Sequence, residues 1–373
     1  MQLYVHVPFC RSKCAYCGFY SMMHHPGLES RFTELLLREI ASWAETLGRP
    51  RLETIFFGGG TPSLLASDHL ERIVAALQEG FDLDPDVEFS LEANPDSVDG
   101  ERLALWRDLG VTRISLGLQS LRNERLALLQ RPHSAEQGLN AATKTQRAGF
   151  AQVGADILWG LPGQSLPEWL DELRTLADLG LDHVSCYGLS LEPGTALARR
   201  AAKGALSFPD EEEQAEMYLQ GAAYLEALGL EHYEISNFAR ASRRCRHNEG
   251  YWAGRSYLGL GPGAVSSLSV ERWENPRDME AYAACVDHGL EARAVERLGL
   301  EEERREMILL RLRTAEGLSL AEYAQRTGQD LLQEYRGLVE RLCAEGLMRQ
   351  NGDRLFLSPQ GMAVSNSILE CFV

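Results

Sequence analysis

Cys10-Arg11-Ser12-Lys13-Cys14-Ala15-Tyr16-Cys17-Gly18-Phe19 is the stretch on which the reading of this 373-residue chain turns. Its three cysteines, Cys10, Cys14 and Cys17, lie four and three residues apart, whereas the other five of the chain's eight are scattered singly. They follow Leu3-Tyr4-Val5-His6-Val7-Pro8, an apolar run that reads as a buried strand ended by Pro8. The thiols therefore sit on a loop just past the carboxyl end of a strand, the edge at which a parallel sheet or barrel places its chemistry. Three thiolates on so short a loop can converge on one soft metal centre. A structural zinc site would want a fourth Cys or His nearby, and position 19, where a fourth thiol is expected, is Phe19. A four-iron cluster held by three cysteines leaves one iron open to a substrate or cofactor. Zinc and iron both remain open at this level.

Outward from the loop, apolar runs alternate with amphipathic stretches. Strands are expected at Leu3–Val7, Thr54–Phe57, Val87–Glu92, Arg113–Gly117, Val153–Trp159 and His183–Leu189. Helices are expected near Leu28–Leu47, Ser67–Gln78, Asp99–Asp108, Ala135–Ala148 and Leu166–Leu179. Such repetition predicts a parallel sheet with right-handed crossovers, and six strands are too few for a closed eightfold barrel. From Leu298 the sequence turns acidic and helical, with helices near Met307–Leu312, Ser319–Thr327 and Leu331–Glu345. A hairpin turned at Asn351-Gly352 follows. Three helices and a hairpin resemble a winged helix. Residues 298–373 carry 12 acidic and 9 basic residues with no basic cluster on the third helix, which argues against DNA and for a lid or docking module. The expected organisation is 1–230 as barrel, 231–297 as its extension and 298–373 as a small C-terminal α+β domain.

The formal charge of −17 disfavours nonspecific nucleic-acid binding. No run of eighteen apolar residues predicts a membrane span, and no signal-like segment opens the chain, so a cytoplasmic location is expected. Eight cysteines in that setting argue against a disulfide framework.

Polar residues recur at the carboxyl ends of the strands. Gly58-Gly59-Gly60-Thr61-Pro62 follows the second, and its glycines let the backbone approach a ligand closely or simply make a turn. Glu92 ends the third and Gln119 the fourth, and Asp156 lies inside the apolar fifth, where a charge must be paired or face a cavity. Arg131 can fork onto a carboxylate. Each of these also has a plain surface or packing explanation. In Cys245-Arg246-His247-Asn248-Glu249-Gly250-Tyr251-Trp252, a histidine with flanking aromatics suits haem or, equally, a hydrogen-bonded turn, and Cys245 is a rival thiolate.

The C-x3-C-x2-C spacing resembles the radical S-adenosylmethionine (SAM) superfamily. The lead-in Tyr4-Val5-His6-Val7-Pro8-Phe9-Cys10 narrows the resemblance to the oxygen-independent coproporphyrinogen III oxidase (HemN)-like family and its HemW subgroup of haem chaperones. The resemblance implies an α/β fold, a partial (β/α)6 barrel with a winged-helix-like C-terminal domain. It implies a [4Fe-4S] cluster on Cys10, Cys14 and Cys17 whose open iron chelates SAM, and homolysis of SAM to a 5'-deoxyadenosyl radical. Gly59, Gly60 and Thr61 look like the family's GGGTP segment, which meets the amino group of SAM. Glu92, Gln119, Arg131 and Asp156 match residues that surround SAM, and Tyr4, Tyr16, Ser190 and Val265 are implied as further SAM neighbours. The H-N-x-x-Y-W pattern implies haem, with His247 as its ligand.

Three functions follow from the resemblance: a haem chaperone serving haem-receiving proteins, a coproporphyrinogen III oxidase of porphyrin biosynthesis, and a radical RNA-modifying enzyme. The oxidase pattern carries a fourth cysteine where Phe19 stands, and a longer extension before Tyr4, so the chaperone is the expectation. A reducing donor such as flavodoxin or ferredoxin is implied, while cleavage of SAM in function does not follow from the sequence.

Overall fold

The computed structural model describes residues 1–288 and 293–372. Residues 289–292, within the stretch expected to extend the barrel, and residue 373, at the end of the expected C-terminal domain, lie outside the described residues. The chain opens with β1 (Gln2–Val7), and a small parallel pair, β2 (Phe9–Cys10) and β3 (Met22–Met23), frames the cysteine loop. Helix α1 (Pro26–Leu47) starts with proline at its first position, where no backbone N–H is needed, and ends at Gly48 in the left-handed conformation. Then come β4 (Arg51–Gly59), α2 (Ser67–Gly80), β5 (Asp82–Ala93), α3 (Gly100–Asp108), β6 (Arg113–Gln119), α4 (Asn123–Leu128), α5 (Ala135–Arg147), β7 (Gln152–Trp159), α6 (Leu166–Asp178) and β8 (His183–Gly188). Reciprocal Ser134/Gln137 and Ser165/Glu168 bonds cap the starts of α5 and α6.

Strands β1, β4, β5, β6, β7 and β8 are neighbours in that order, every pair parallel, as the strand–helix alternation predicts. Their side chains alternate. Leu3, Val5, Ile55, Phe57, Leu91, Ile114, Leu116, Ala155, Ile157 and Val184 belong to the apolar core shared with Leu36, Ile73 and Leu173 of the helices. The intervening residues, among them Tyr4, Glu92, Arg113, Ser115, Asp156 and Ser185, line cavities on the other face. The inside of this partial barrel is therefore polar, which fits ligand binding better than a closed apolar core.

The sheet runs beyond the six strands that were expected. After α7 (Ala196–Ala202) and α8 (Glu211–Ala227), β9 (Glu231–Glu234) and β10 (Asn237–Ala239) add antiparallel strands beside β8. After α9 (Arg246–Trp252), β11 (Tyr257–Leu260) joins β1 in parallel, and β12 (Val265–Leu268), β13 (Glu271–Glu274) and β14 (Glu296–Arg297) continue antiparallel. The glycine-rich Tyr257–Ser267 stretch thus supplies two interior strands, β11 between β1 and β12 and β12 between β11 and β13, with β14 at the edge. These strands are short, and glycine obscures the alternation that would reveal them. Helix α10 (Met279–Asp287) packs on α1, where buried Glu39 accepts from Gly261 N–H (2.8 Å), Asn275 (2.7 Å) and Tyr282 (2.6 Å).

The C-terminal module contains α11 (Leu300–Arg311), β15 (Leu318–Ser319), α12 (Leu320–Thr327), α13 (Leu331–Ala344) and the hairpin β16 (Met348–Asn351)–β17 (Arg354–Leu357), as the helix and turn signals predict. Its core includes Leu318, Tyr323, Leu342 and Leu355, and is continued by Tyr218 of α8. No helix among the described residues is long and apolar enough to cross a membrane.

Candidate functional site

The carboxyl ends of the parallel strands surround a cavity of about 600 Å³. Cys10, Cys14, Cys17, Tyr16, Gly59, Gly60, Thr61, Glu92, Gln119, Arg131, Asp156 and Ser190, far apart in sequence, all line it. Register explains the convergence. Glu92 lies opposite Ser115, Gly117 opposite Asp156, and Asp156 opposite Ser185 on adjacent strands.

Glycine is required where β4 meets the cysteine loop. Gly59 has φ +106°, and a Cβ there would lie 2.5 Å from the His6 ring; a Cβ on Gly60 would lie 2.7 Å from the Phe9 carbonyl. His6 links strand and loop. Its Nε2–H donates to the Tyr20 carbonyl (3.0 Å), leaving Nδ1 to accept from the Tyr4 hydroxyl (3.1 Å). Gln119 has φ +66°, left-handed without being glycine, just where β6 loses register with β7.

Arg131 organises the thiols. It donates to Cys14 Sγ (3.3 Å), to Asn94 Oδ1 (2.6 Å) and to the Gly117 carbonyl (2.7 Å). Asn94 Nδ2 donates to Thr61 Oγ1 (3.2 Å), and Thr61 to Cys10 Sγ (3.6 Å). A single guanidinium thus reaches two of the three sulfurs, one directly and one through Asn94 and Thr61. Sequence reasoning missed Asn94, His6, Arg113 and Ser115. Asn94's position two residues beyond Glu92 at a strand end, and the polar alternation of β6, were the available signals.

The electrostatics follow from burial. The Glu92 carboxyl is pushed up to about 8, first by burial and then by the nearby Asp156, although it accepts from Gly59 N–H (3.3 Å). Asp156 is also raised by burial, against hydrogen bonds that include Ser115 Oγ at 3.0 Å. Burial raises the thiols of Cys10 and Cys17, so a positively charged metal centre is what would draw them off as thiolates. Among the described residues no group of three His, Cys, Asp or Glu is gathered tightly enough to grip a single ion. Zinc holds its sulfurs within about 2.3 Å of one point, whereas a four-iron cluster distributes its thiolates over separate irons. Three free thiols facing one cavity, with no histidine or fourth cysteine in its lining, fit such a cluster.

Three sequence-predicted residues lie elsewhere. Tyr4 and His247 border an inner cavity of about 200 Å³, which shares Glu92, Ser115, Asp156 and Tyr187 with the larger one. Val265 lines a third space, because β12 turns back antiparallel from β11. The expectation that His247 presents a nitrogen to haem iron meets a physical obstacle. The ring is 1% exposed. Its Nδ1 is hydrogen-bonded to Thr54 Oγ1 (2.7 Å) and its Nε2 to the Tyr251 hydroxyl (3.1 Å). It stacks on Phe56 with centroids 5.1 Å apart, and burial lowers its pKa to about 3. Helix α9 is a plug, held at the amino ends of the strands by Gln2 (to the His247 carbonyl, 2.8 Å) and by Glu88 (from the amides of Arg246 and His247, 2.9 and 3.0 Å). Cys245 is fully buried, its thiol is raised to about 12 by burial, and it donates to Glu88 Oε1 (3.5 Å).

Comparison with known proteins agrees with this architecture. The Radical SAM superfamily model matches residues 4–176, and the HemN C-terminal domain model matches residues 298–364. The chain is 38% identical over 371 residues to the haem chaperone HemW of Mycobacterium tuberculosis, covering 98% of this chain and 93% of that protein. It is 31% identical over 372 residues to HemW of Bacillus subtilis, covering 99% and 98%. The solved structure of coproporphyrinogen III oxidase (HemN) from Escherichia coli superposes with a TM-score of 0.86 at 22% identity, covering 100% of this chain and 89% of that one. That last likeness is one of fold.

Proposed function

The chain belongs to the radical SAM superfamily and, within it, to the HemW family, and from that premise we propose that it binds a [4Fe-4S] cluster, SAM and haem and delivers haem to recipient proteins. The observation that carries the cluster and SAM is the 600 Å³ cavity itself, in which three thiols share walls with the glycine segment, Glu92, Gln119, Arg131 and Asp156. Cys10, Cys14 and Cys17 would hold the cluster, leaving one iron for the amino and carboxylate groups of the methionine moiety. When bound, the cluster supplies one-electron reductive cleavage of the sulfonium, with the electron from a flavodoxin- or ferredoxin-like donor.

The chain's own residues bind and orient. Gly59 and Gly60 admit the ligand against bare backbone. Arg131 braces two sulfurs and sets a positive charge beside the metal end. Glu92 and Asp156 offer carboxylates to the hydroxyl and ammonium groups, and Glu92 must first give up the proton that burial leaves on it near neutral pH. Phe19, 70% exposed at the cavity's mouth where the oxidase pattern has cysteine, supports the chaperone over the oxidase.

Haem enters through the two HemW relatives. Anaerobically reconstituted protein should bind haem stoichiometrically and should leave coproporphyrinogen III unconverted. Robust conversion to protoporphyrinogen overturns the chaperone reading in favour of the oxidase.

A further inference from the structure

A cavity of about 500 Å³ separates the barrel extension from the C-terminal module, bounded by the end of α9, strands β11 to β13, and helix α11. The cysteine cavity is claimed by cluster and nucleotide, and the inner cavity, at about 200 Å³, is too small for a macrocycle. The space between the modules is large enough, and clefts of this kind at domain boundaries are favoured ligand sites.

Its lining has two characters. Trp252, Tyr257, Val265, Met307 and Leu310 form apolar and aromatic walls. Four arginines, Arg255, Arg272, Arg311 and Arg326, face it against two glutamates, Glu303 and Glu306. That local surplus of positive charge stands out in a chain of net charge −17. All four have a carboxylate partner: Arg272 pairs with Glu306 at 2.5 Å and Arg255 with Glu53 at 3.0 Å, while Arg311 and Arg326 share Glu322 at 3.1 and 3.7 Å. One carboxylate serving two guanidiniums leaves Arg326 the least committed of the four.

We propose that this cleft is where haem docks: the macrocycle lies between Trp252 and Leu310, and the propionates lie on the arginines. The proposal rests on the haem-binding reading above and moves the site away from the buried His247. Trp252 is the last residue of the α9 plug, so the outer end of that helix meets haem while its histidine holds the barrel closed. Tyr257 and Met307 bring a phenol and a thioether, both known axial donors to haem iron.

The test compares haem titrations of the reconstituted wild type with Val265→Trp, which fills the cleft, and Arg326→Glu, which reverses an exposed charge. Retained Soret absorbance is measured after gel filtration, and iron–sulfur content, SAM binding and thermal melting are followed in parallel. Each variant should lose at least about tenfold in haem affinity with SAM binding unchanged. Stoichiometric wild-type binding that both folded variants match overturns the cleft and leaves the chaperone reading standing. A wild type that does not bind haem overturns both. Should Val265→Trp fail to fold, Arg326→Glu carries the decision alone.

Discussion

Glu92→Gln probes the cavity's electrostatics directly. Burial and the neighbouring Asp156 hold the Glu92 carboxyl at about 8, against an ordinary value of 4.5. In the unfolded chain the group ionises near its ordinary value. Between those two pH values, therefore, the folded state keeps a proton that the unfolded state has lost. The corresponding stability is fully present below about 4.5 and is lost as pH rises through about 8. At about 1.4 kcal/mol per pH unit the whole effect is roughly 4–5 kcal/mol. The carboxyl borders a cavity open to solvent, and screening there reduces the expectation to about 2 kcal/mol. Glutamine keeps the shape and cannot ionise. Urea unfolding of cluster-free protein from pH 5.5 to 8.5 should show the wild type losing about 2 kcal/mol across the range. The variant should show a flatter profile and be the more stable protein at pH 8.5. Asp156, raised in the same direction, leaves some slope in both. Identical slopes in the two proteins would refute the assignment of the raised carboxyl to Glu92.

Three further outcomes are expected. SAM brings positive charge to a cavity in which Glu92 is still largely protonated near neutral pH, so its affinity should rise between pH 6.5 and 8.5 with net proton release; calorimetry in buffers of different ionisation enthalpy measures this. Asn94→Leu cuts the link from Arg131 to Thr61 and should weaken SAM binding by about 1.5–3 kcal/mol, the range for a hydrogen bond to a charged group, read by equilibrium dialysis. His247→Ala removes a buried ring with both nitrogens bonded and should lower stability by about 2–4 kcal/mol in urea unfolding, while the Soret maximum of bound haem stays in place.

The barrel was legible because each strand carries enough apolar residues to stand out between amphipathic helices, and the cysteine loop because three thiols in eight residues have few explanations. The polar interior was harder to see. Arg113-Ile114-Ser115-Leu116-Gly117-Leu118-Gln119 alternates strictly, but its apolar half dominates a first reading, and only the register reveals which polar residues share a face. Gln119's left-handed backbone, forced where β6 slips past β7, has no signal in a residue type that avoids that conformation. The surroundings of His247 were not legible because its pattern specifies residue types near one another and not their partners. Thr54 and Glu88, which fix the helix as a plug, lie on strands more than a hundred residues earlier. Val265 was placed with SAM by resemblance, yet the hairpin turn into β12 carries it to another face.

The central claim is that Cys10, Cys14 and Cys17 hold a four-iron cluster whose remaining iron takes SAM. Mössbauer spectroscopy of protein reconstituted anaerobically with ⁵⁷Fe, recorded with and without SAM, tests it most directly. A four-iron signal is expected in which one iron site alone changes its parameters when SAM is added. A preparation without a four-iron centre, or with one that SAM leaves unchanged, contradicts it.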